Sequence, residues 1–328
     1  MNNQPLQPND KETKNYRKAK MPKKLKFTII YAVLIGVLCV GILLYACFED
    51  KLSKGLEYNV ISDTTCEITG IGTCTDKKIV IPNVIDGYNV ISIGKSAFSE
   101  CRNLTSIEIP EGVTSIGDEA FSCCSNLKNI YIPESVISVG NKAFSSCFSL
   151  ESIEISEGVA SIGDSAFFMC NNLTRISVSS DNTSYKSVNG VLFNYDKTAL
   201  ICYPAGKQEA QYTIPKGVTS IEDSAFCYCE RLTSIEIPES VTSIGDFTFS
   251  LCSSLTSIAI PESVTTIEDY AFAVCDSLTS ITYDGTVSEW EEMTKGMYWI
   301  DGIPNHTIYY TVYCTDGTVA KDGTVRYN

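Results

Sequence analysis

Phenylalanines stand at Phe98, Phe121, Phe144 and Phe167, a step of 23 residues, and the same step returns at Phe226, Phe249 and Phe272. Each carries a cysteine three places on, at Cys101, Cys124, Cys147, Cys170, Cys229, Cys252 and Cys275. One unit reads V-x-x-I-G-D-x-A-F-x-x-C-x-x-L-x-x-I-x-I-P. Self-similarity at a period of about 20 to 50 residues marks a solenoid or a propeller. A unit this short cannot bury its own apolar side, whereas stacked units place Phe over Phe, Leu over Leu and Ile over Ile.

The unit's internal pattern predicts its shape. Leu104-Thr105-Ser106-Ile107-Glu108-Ile109 ends in alternation, so Ile107 and Ile109 point inward and Glu108 outward, as on a short strand. Pro110 stops the ladder. Gly117-Asp118 ahead of Glu119-Ala120-Phe121 reads as a turn and then an N-cap, with the Asp side chain accepting a backbone N–H of one helical turn. The expected fold is a parallel-sheet solenoid of short strands with single helical turns. Between Val178 and Gly217 the register slips by 36 residues, and "NGVLFNYDKTALICYPAGK" predicts two strands around the turn Tyr195-Asp196-Lys197-Thr198.

"IPESVTSIGDFTFSLCSSLTSIAIP", from Ile237, resembles the BspA-type leucine-rich repeat of bacterial surface proteins, and the likeness covers about residues 66–314. The resemblance implies a leucine-rich-repeat solenoid over 66–283, opened by a strand pair and first coil from Cys66 and interrupted by an irregular hairpin coil at about 180–215. It implies a C-terminal cap and tail over 284–328, where both tryptophans lie, and a bacterial cell-surface adhesion or interaction role.

"FTIIYAVLIGVLCVGILLYACF", residues 27–48, has no charge and is long enough to cross a hydrocarbon core of about 30 Å. It is read as a transmembrane anchor that follows a basic cytoplasmic tail, residues 1–26, and precedes a linker, 49–65. Lys18, Lys20, Lys23, Lys24 and Lys26 on one side, with Glu49 and Asp50 on the other, place the N-terminus in the cytoplasm and the solenoid outside. A cleaved signal peptide would have a shorter apolar region and a small-residue site. "LYAC", ending at Cys47, resembles a bacterial lipobox and offers lipidated Cys47 as an alternative anchor. Residues 1–48 hold 8 Lys/Arg against 2 Asp/Glu, and residues 49–328 hold 17 against 37. An acidic solenoid of this kind repels nucleic acid and anionic membrane.

The recurring cysteines invite a chemical reading. Zinc sites favour C-x2-4-C pairs or Cys with His, but the chain has no C-x-x-C and one histidine, His306. The ladder cysteines lie between two core columns and read as small buried hydrophobes. Stacked side chains point in parallel, which disfavours bridges along the column. Cys66 and Cys74, on neighbouring predicted strands, are a candidate disulfide in an oxidising exterior. His306 lacks a nucleophile in a recognisable elbow. Gly94-Lys95-Ser96 is not a P-loop, since Asn89 stands where that motif needs glycine. Glu108 and Glu154, two coils apart, should lie about 10 Å from one another, beyond the retaining-glycosidase separation and at the edge of the inverting one, and read as part of a solvated face.

No cofactor, metal or catalytic group is therefore expected. Outward residues of the strand face, Glu108, Tyr131, Glu154, Ser177, Glu236 and Thr282, are the candidate ligand-binding set. The implied function is a non-catalytic module binding an extracellular protein of a host or neighbouring cell. A passive envelope stalk, or a binder or enzyme of surface glycans, is the alternative.

Overall fold

A computed structural model describes residues 52–301 and 308–328. The apolar run 27–48, Cys47 and His306 lie outside the described residues. Among the described residues no helix is long and apolar enough to cross a membrane.

Each coil contributes one strand to each of two faces. On the first face Lys78–Val80, Ser106–Glu108, Asn129–Tyr131, Ser152–Ile155 and Arg175–Val178 form a five-stranded parallel sheet. Its register equals the repeat, so Ile107, Ile130, Ile153 and Ile176 lie in line and are buried. On the opposite face the strands shrink to two residues, Ser115–Ile116, Ser138–Val139 and Ser161–Ile162, stacked on Tyr88–Ile93.

Between the faces runs a third strip held by backbone bonds from coil to coil. The N–H groups of Ser96, Phe98 and Glu100 donate to the carbonyls of Asp118, Ala120 and Ser122 at 2.7–2.9 Å. The chain aims alternate amides at its neighbour by entering the left-handed region twice per coil, as at Glu119 (φ 56°) and Cys123 (φ 59°). This corrects the expected single helical turn. It also corrects the expected N-cap: Asp118 Oδ1 accepts from the N–H of Asn141 in the next coil, at 2.8 Å. Asn141 passes the same bond to Asp164, and Asp223, Asp246 and Asp269 pass it to Asp246, Asp269 and Met297.

The slip after Val178 divides the core. The Phe98–Phe121–Phe144–Phe167 rings stack at centroid distances of 5.4, 5.5 and 5.9 Å. A second stack runs Tyr203–Phe226–Phe249–Phe272 at 5.2 Å per step and ends edge-on against Trp299. The intervening segment has three antiparallel strands where two were expected: Tyr185–Val188, Val191–Asn194 and Ala199–Cys202. The first pair is joined at Asn189-Gly190, both in the left-handed region, as a tight two-residue hairpin requires. After the interruption Gln211–Thr213, Ser234–Glu236, Ser257–Ile260, Ser280–Tyr283 and Thr311–Tyr313 resume the first face.

The boundaries shift at both ends. Glu57–Ser62 is a strand paired antiparallel with Thr65–Gly70, so the expected linker 49–65 already holds folded structure. Beyond Tyr283 the coil continues through Thr294–Lys295, paired with Thr266–Ile267, to Thr311–Tyr313. A short helix, Val287–Glu292, is inserted in that last coil behind a Thr286 capping box, which hides the 23-residue step. The antiparallel strands Gly317–Ala320 and Val325–Tyr327 then close the sheet.

Candidate interaction face

Parallel register lines the outward residues of the first face into continuous columns. In the N-terminal stack Glu108, Tyr131, Glu154 and Ser177 are consecutive partners, the first three exposed and Ser177 half-buried. In the C-terminal stack the column is Thr213, Glu236, Ala259, Thr282 and Tyr313, so Glu236 and Thr282 are two coils apart with Ala259 between them. The interruption separates the two sets into different sheets.

The halves differ in relief. Tyr131 stands 54% exposed between Glu108 and Glu154. Its hydroxyl is held above the ordinary tyrosine range by partial burial first and then by Glu111, Glu134 and Glu154. The C-terminal half carries Ser234, Ser257, Ala259 and Thr282, and this run of small side chains leaves a shallow groove of about 270 Å3 beside Tyr212 and Glu236. Thr213 Oγ1 donates to Glu236 at 3.2 Å, fixing one wall. At the interruption Tyr195 is exposed, with the Lys186 ammonium 3.9 Å from its ring centre.

The ladder cysteines face the other way. Cys124, Cys147, Cys170, Cys229, Cys252 and Cys275 are at most 1% exposed, and Cys101 is half-buried. The thiols of Cys124, Cys147 and Cys170 donate at 3.0–3.2 Å to the carbonyls of Phe98, Phe121 and Phe144, one coil back. Cys252 and Cys275 repeat the contact with Phe226 and Phe249. Burial pushes the Cys147 thiol well above its usual value and the Cys202 thiol up to about 12. A thiol held in the neutral form is a poor nucleophile and a poor metal ligand.

Cys66 and Cys74 are free thiols and do not form the expected bridge. Cys66 is fully buried, with its thiol directed at the Tyr88 carbonyl. Cys74 is also buried, and its N–H bonds Ile71 O as that of Cys101 bonds Phe98 O. Among the described residues no three His, Cys, Asp or Glu side chains converge to hold a metal ion.

Two features escaped the sequence reading. One is that the Asp/Asn side chains bond from coil to coil, where the sequence predicts a local cap at Asp118. Asn182, in a glycosylation-type triplet, is 2% exposed and anchors the hairpin: Nδ2 donates to Ser156 O and Val159 O, and Oδ1 accepts from the Ser184 and Tyr185 amides.

Comparison with known proteins agrees with this architecture. Six copies of the BspA-type leucine-rich repeat region match residues 73–197 and 205–294. The crystal structure of the pneumococcal vaccine antigen PcpA is similar at 21% identity and a TM-score of 0.52, covering 80% of this chain and 87% of that one. A leucine-rich repeat protein from Eubacterium ventriosum is similar at 22% identity and a TM-score of 0.50, over 80% of this chain and 92% of its own. Among curated proteins no match is found. With more than half of its length matched by the family's repeat, the chain belongs to the BspA-type leucine-rich repeat proteins.

Proposed function

We propose that the chain is a surface-displayed, non-catalytic interaction module that engages an extracellular protein through its first face. One observation supports this above the others. The inward positions of the repeat form core columns of nearly constant side chains, such as the Ile107–Ile130–Ile153–Ile176 and Phe226–Phe249–Phe272 lines. The outward column changes from coil to coil, Glu108, Tyr131, Glu154, Ser177 in one sheet and Glu236, Ala259, Thr282 in the other, each set locked in register. Extended repeat surfaces of this kind bind other macromolecules. The apolar run 27–48 and its basic flank support a single-pass anchor with the solenoid outside the cell.

The test is capture by the full chain from extracellular-matrix and neighbouring-cell extracts. A variant carrying Glu108→Gln, Tyr131→Ser and Glu154→Gln serves as control. The reading predicts a saturable protein partner lost in the variant. Absence of any saturable partner, or equal capture by the variant, contradicts it. Mass spectrometry of the membrane-derived N-terminus tests the anchor and reports whether it is intact, cleaved or lipidated at Cys47.

A further inference from the structure

The first left-handed slot of each coil, two residues after the Gly or Glu that follows the opposite-face strand, is set by the backbone strip, and in the N-terminal stack it holds Ser96, Glu119, Lys142 and Ser165. In the C-terminal stack it holds Ser224 and then Phe247, Tyr270 and Tyr298, at φ of 54°, 56° and 51°. A bulky side chain is uncommon there and carries a conformational cost. The rings do not enter the core. Phe247 and Tyr270 stack at 4.9 Å, Tyr298 follows at 5.6 Å, and Phe168 of the other stack meets Phe247 edge-on at 6.2 Å. Phe247 is 36% and Tyr298 48% exposed, with Met297 at 62% beside them. The result is an apolar ridge on the turn side, away from the first face.

Carboxylates border the ridge. Asp223, Asp246 and Asp269 each stand immediately before a slot residue, and Glu222 and Glu268 precede two of these. Between Val218 and Thr294 the chain has fourteen carboxylates against one basic residue, Arg231. At the Phe168 end the ridge meets a cleft of about 250 Å3, with apolar walls of Ile162, Ala199 and Ile201 and with Asp164, Glu222 and Asp223 among its lining. An aliphatic stem with a cationic head matches that combination.

From this juxtaposition we infer a second docking surface: the Phe168–Phe247–Tyr270–Tyr298 ridge and its carboxylate border bind a partner segment that carries both apolar and Lys/Arg side chains. Apolar side chains cover the ring edges, and ammonium or guanidinium groups lie against the flanking carboxylates. The inference extends the interaction-module reading and does not depend on the first face.

The experiment uses the full chain and three labelled synthetic peptides of equal length: a lysine–leucine peptide, a lysine–serine peptide of the same charge and a glutamate–leucine peptide. The slot natively holds serine and the rung natively holds asparagine, so two variants keep the fold: Phe247→Ser/Tyr270→Ser/Tyr298→Ser and Asp223→Asn/Asp246→Asn/Asp269→Asn. Lysine–leucine affinity should fall at least about tenfold in each, and the lysine–serine and glutamate–leucine peptides should bind at least about tenfold more weakly to the native chain. The Glu108→Gln/Tyr131→Ser/Glu154→Gln variant should bind the lysine–leucine peptide as the native chain does. Unchanged affinity in the serine variant, equal binding of the glutamate–leucine or lysine–serine peptide, or loss only in the first-face variant overturns the inference. Failure of partner capture by the first face with ridge binding intact overturns only the other reading.

Discussion

Cys147 fills a place between a phenylalanine and a leucine column, and its S–H is directed at the Phe121 carbonyl at 3.2 Å. Cys147→Ala leaves a small void and removes the thiol from a carbonyl that still accepts the Cys124 N–H, and should lower unfolding free energy by about 1 kcal/mol or more, read as a shift of the urea midpoint. Partner capture should not change. The Asp rungs make a sharper case. Asp246 Oδ1 accepts the Asp269 N–H at 2.9 Å, so Asp246→Ala should cost about 1 kcal/mol. Asp246→Asn should cost far less, because Asn141 does the same work natively. The spacing of these residues was plain in the sequence. Their partners were not, since the V-x-x-I-G-D string gives position within a coil, whereas both bonds cross to a neighbouring coil. A Gly-Asp pair before a short apolar run reads as a local cap wherever no repeat is weighed against it.

The interrupting segment carries the largest departure at the level of elements. Asn182 makes four bonds at 2.8–3.0 Å from a 2% exposed side chain and fixes where the hairpin leaves the solenoid. Asn182→Ala takes the acceptor from two amides and the donor from two carbonyls, of which Ser156 O keeps only a long bond from the Val159 N–H at 3.4 Å, and roughly 3 kcal/mol of stability should be lost, measured by denaturant unfolding. The ring-stacked coils on either side should keep their far-ultraviolet circular dichroism. The strands around Tyr195 were readable from alternation. Tyr185–Val188 was not, because Tyr185-Lys186-Ser187-Val188 is mixed in polarity and only the Asn189-Gly190 pair marks its turn. The periodic coils were legible for the opposite reason: every core position repeats, so each copy reinforces the reading of the others. At the ends that redundancy is lost. The helix Val287–Glu292 lengthens the final coil beyond 23 residues, and the opening strand Glu57–Ser62 has little buried surface to reveal it.

Across the whole molecule the buried thiols act together. Burial raises Cys124, Cys147, Cys170, Cys229 and Cys275 above their model-peptide value, so the folded chain retains protons that the unfolded chain releases from about pH 8.5. The native state then binds more protons, and stability falls as pH rises. The contribution is complete below about pH 8.5 and declines by about 1.4 kcal/mol per pH unit for each thiol that stays protonated. Urea midpoints at pH 7.5, 9 and 10 should fall progressively, and a flat profile would contradict the cysteine column. On the outside, the same stacking that fixes the core leaves one column of unlike side chains free to vary, and the proposed function rests on that contrast. Its most direct test is hydroxyl-radical footprinting of the full chain with and without its captured partner, read at Tyr131, which is 54% exposed at the centre of the outward column. Oxidation of Tyr131 should drop sharply on binding while Tyr327, 70% exposed at the far end, stays reactive. A saturable complex that leaves Tyr131 as reactive as in the free chain would contradict the assignment of the first face.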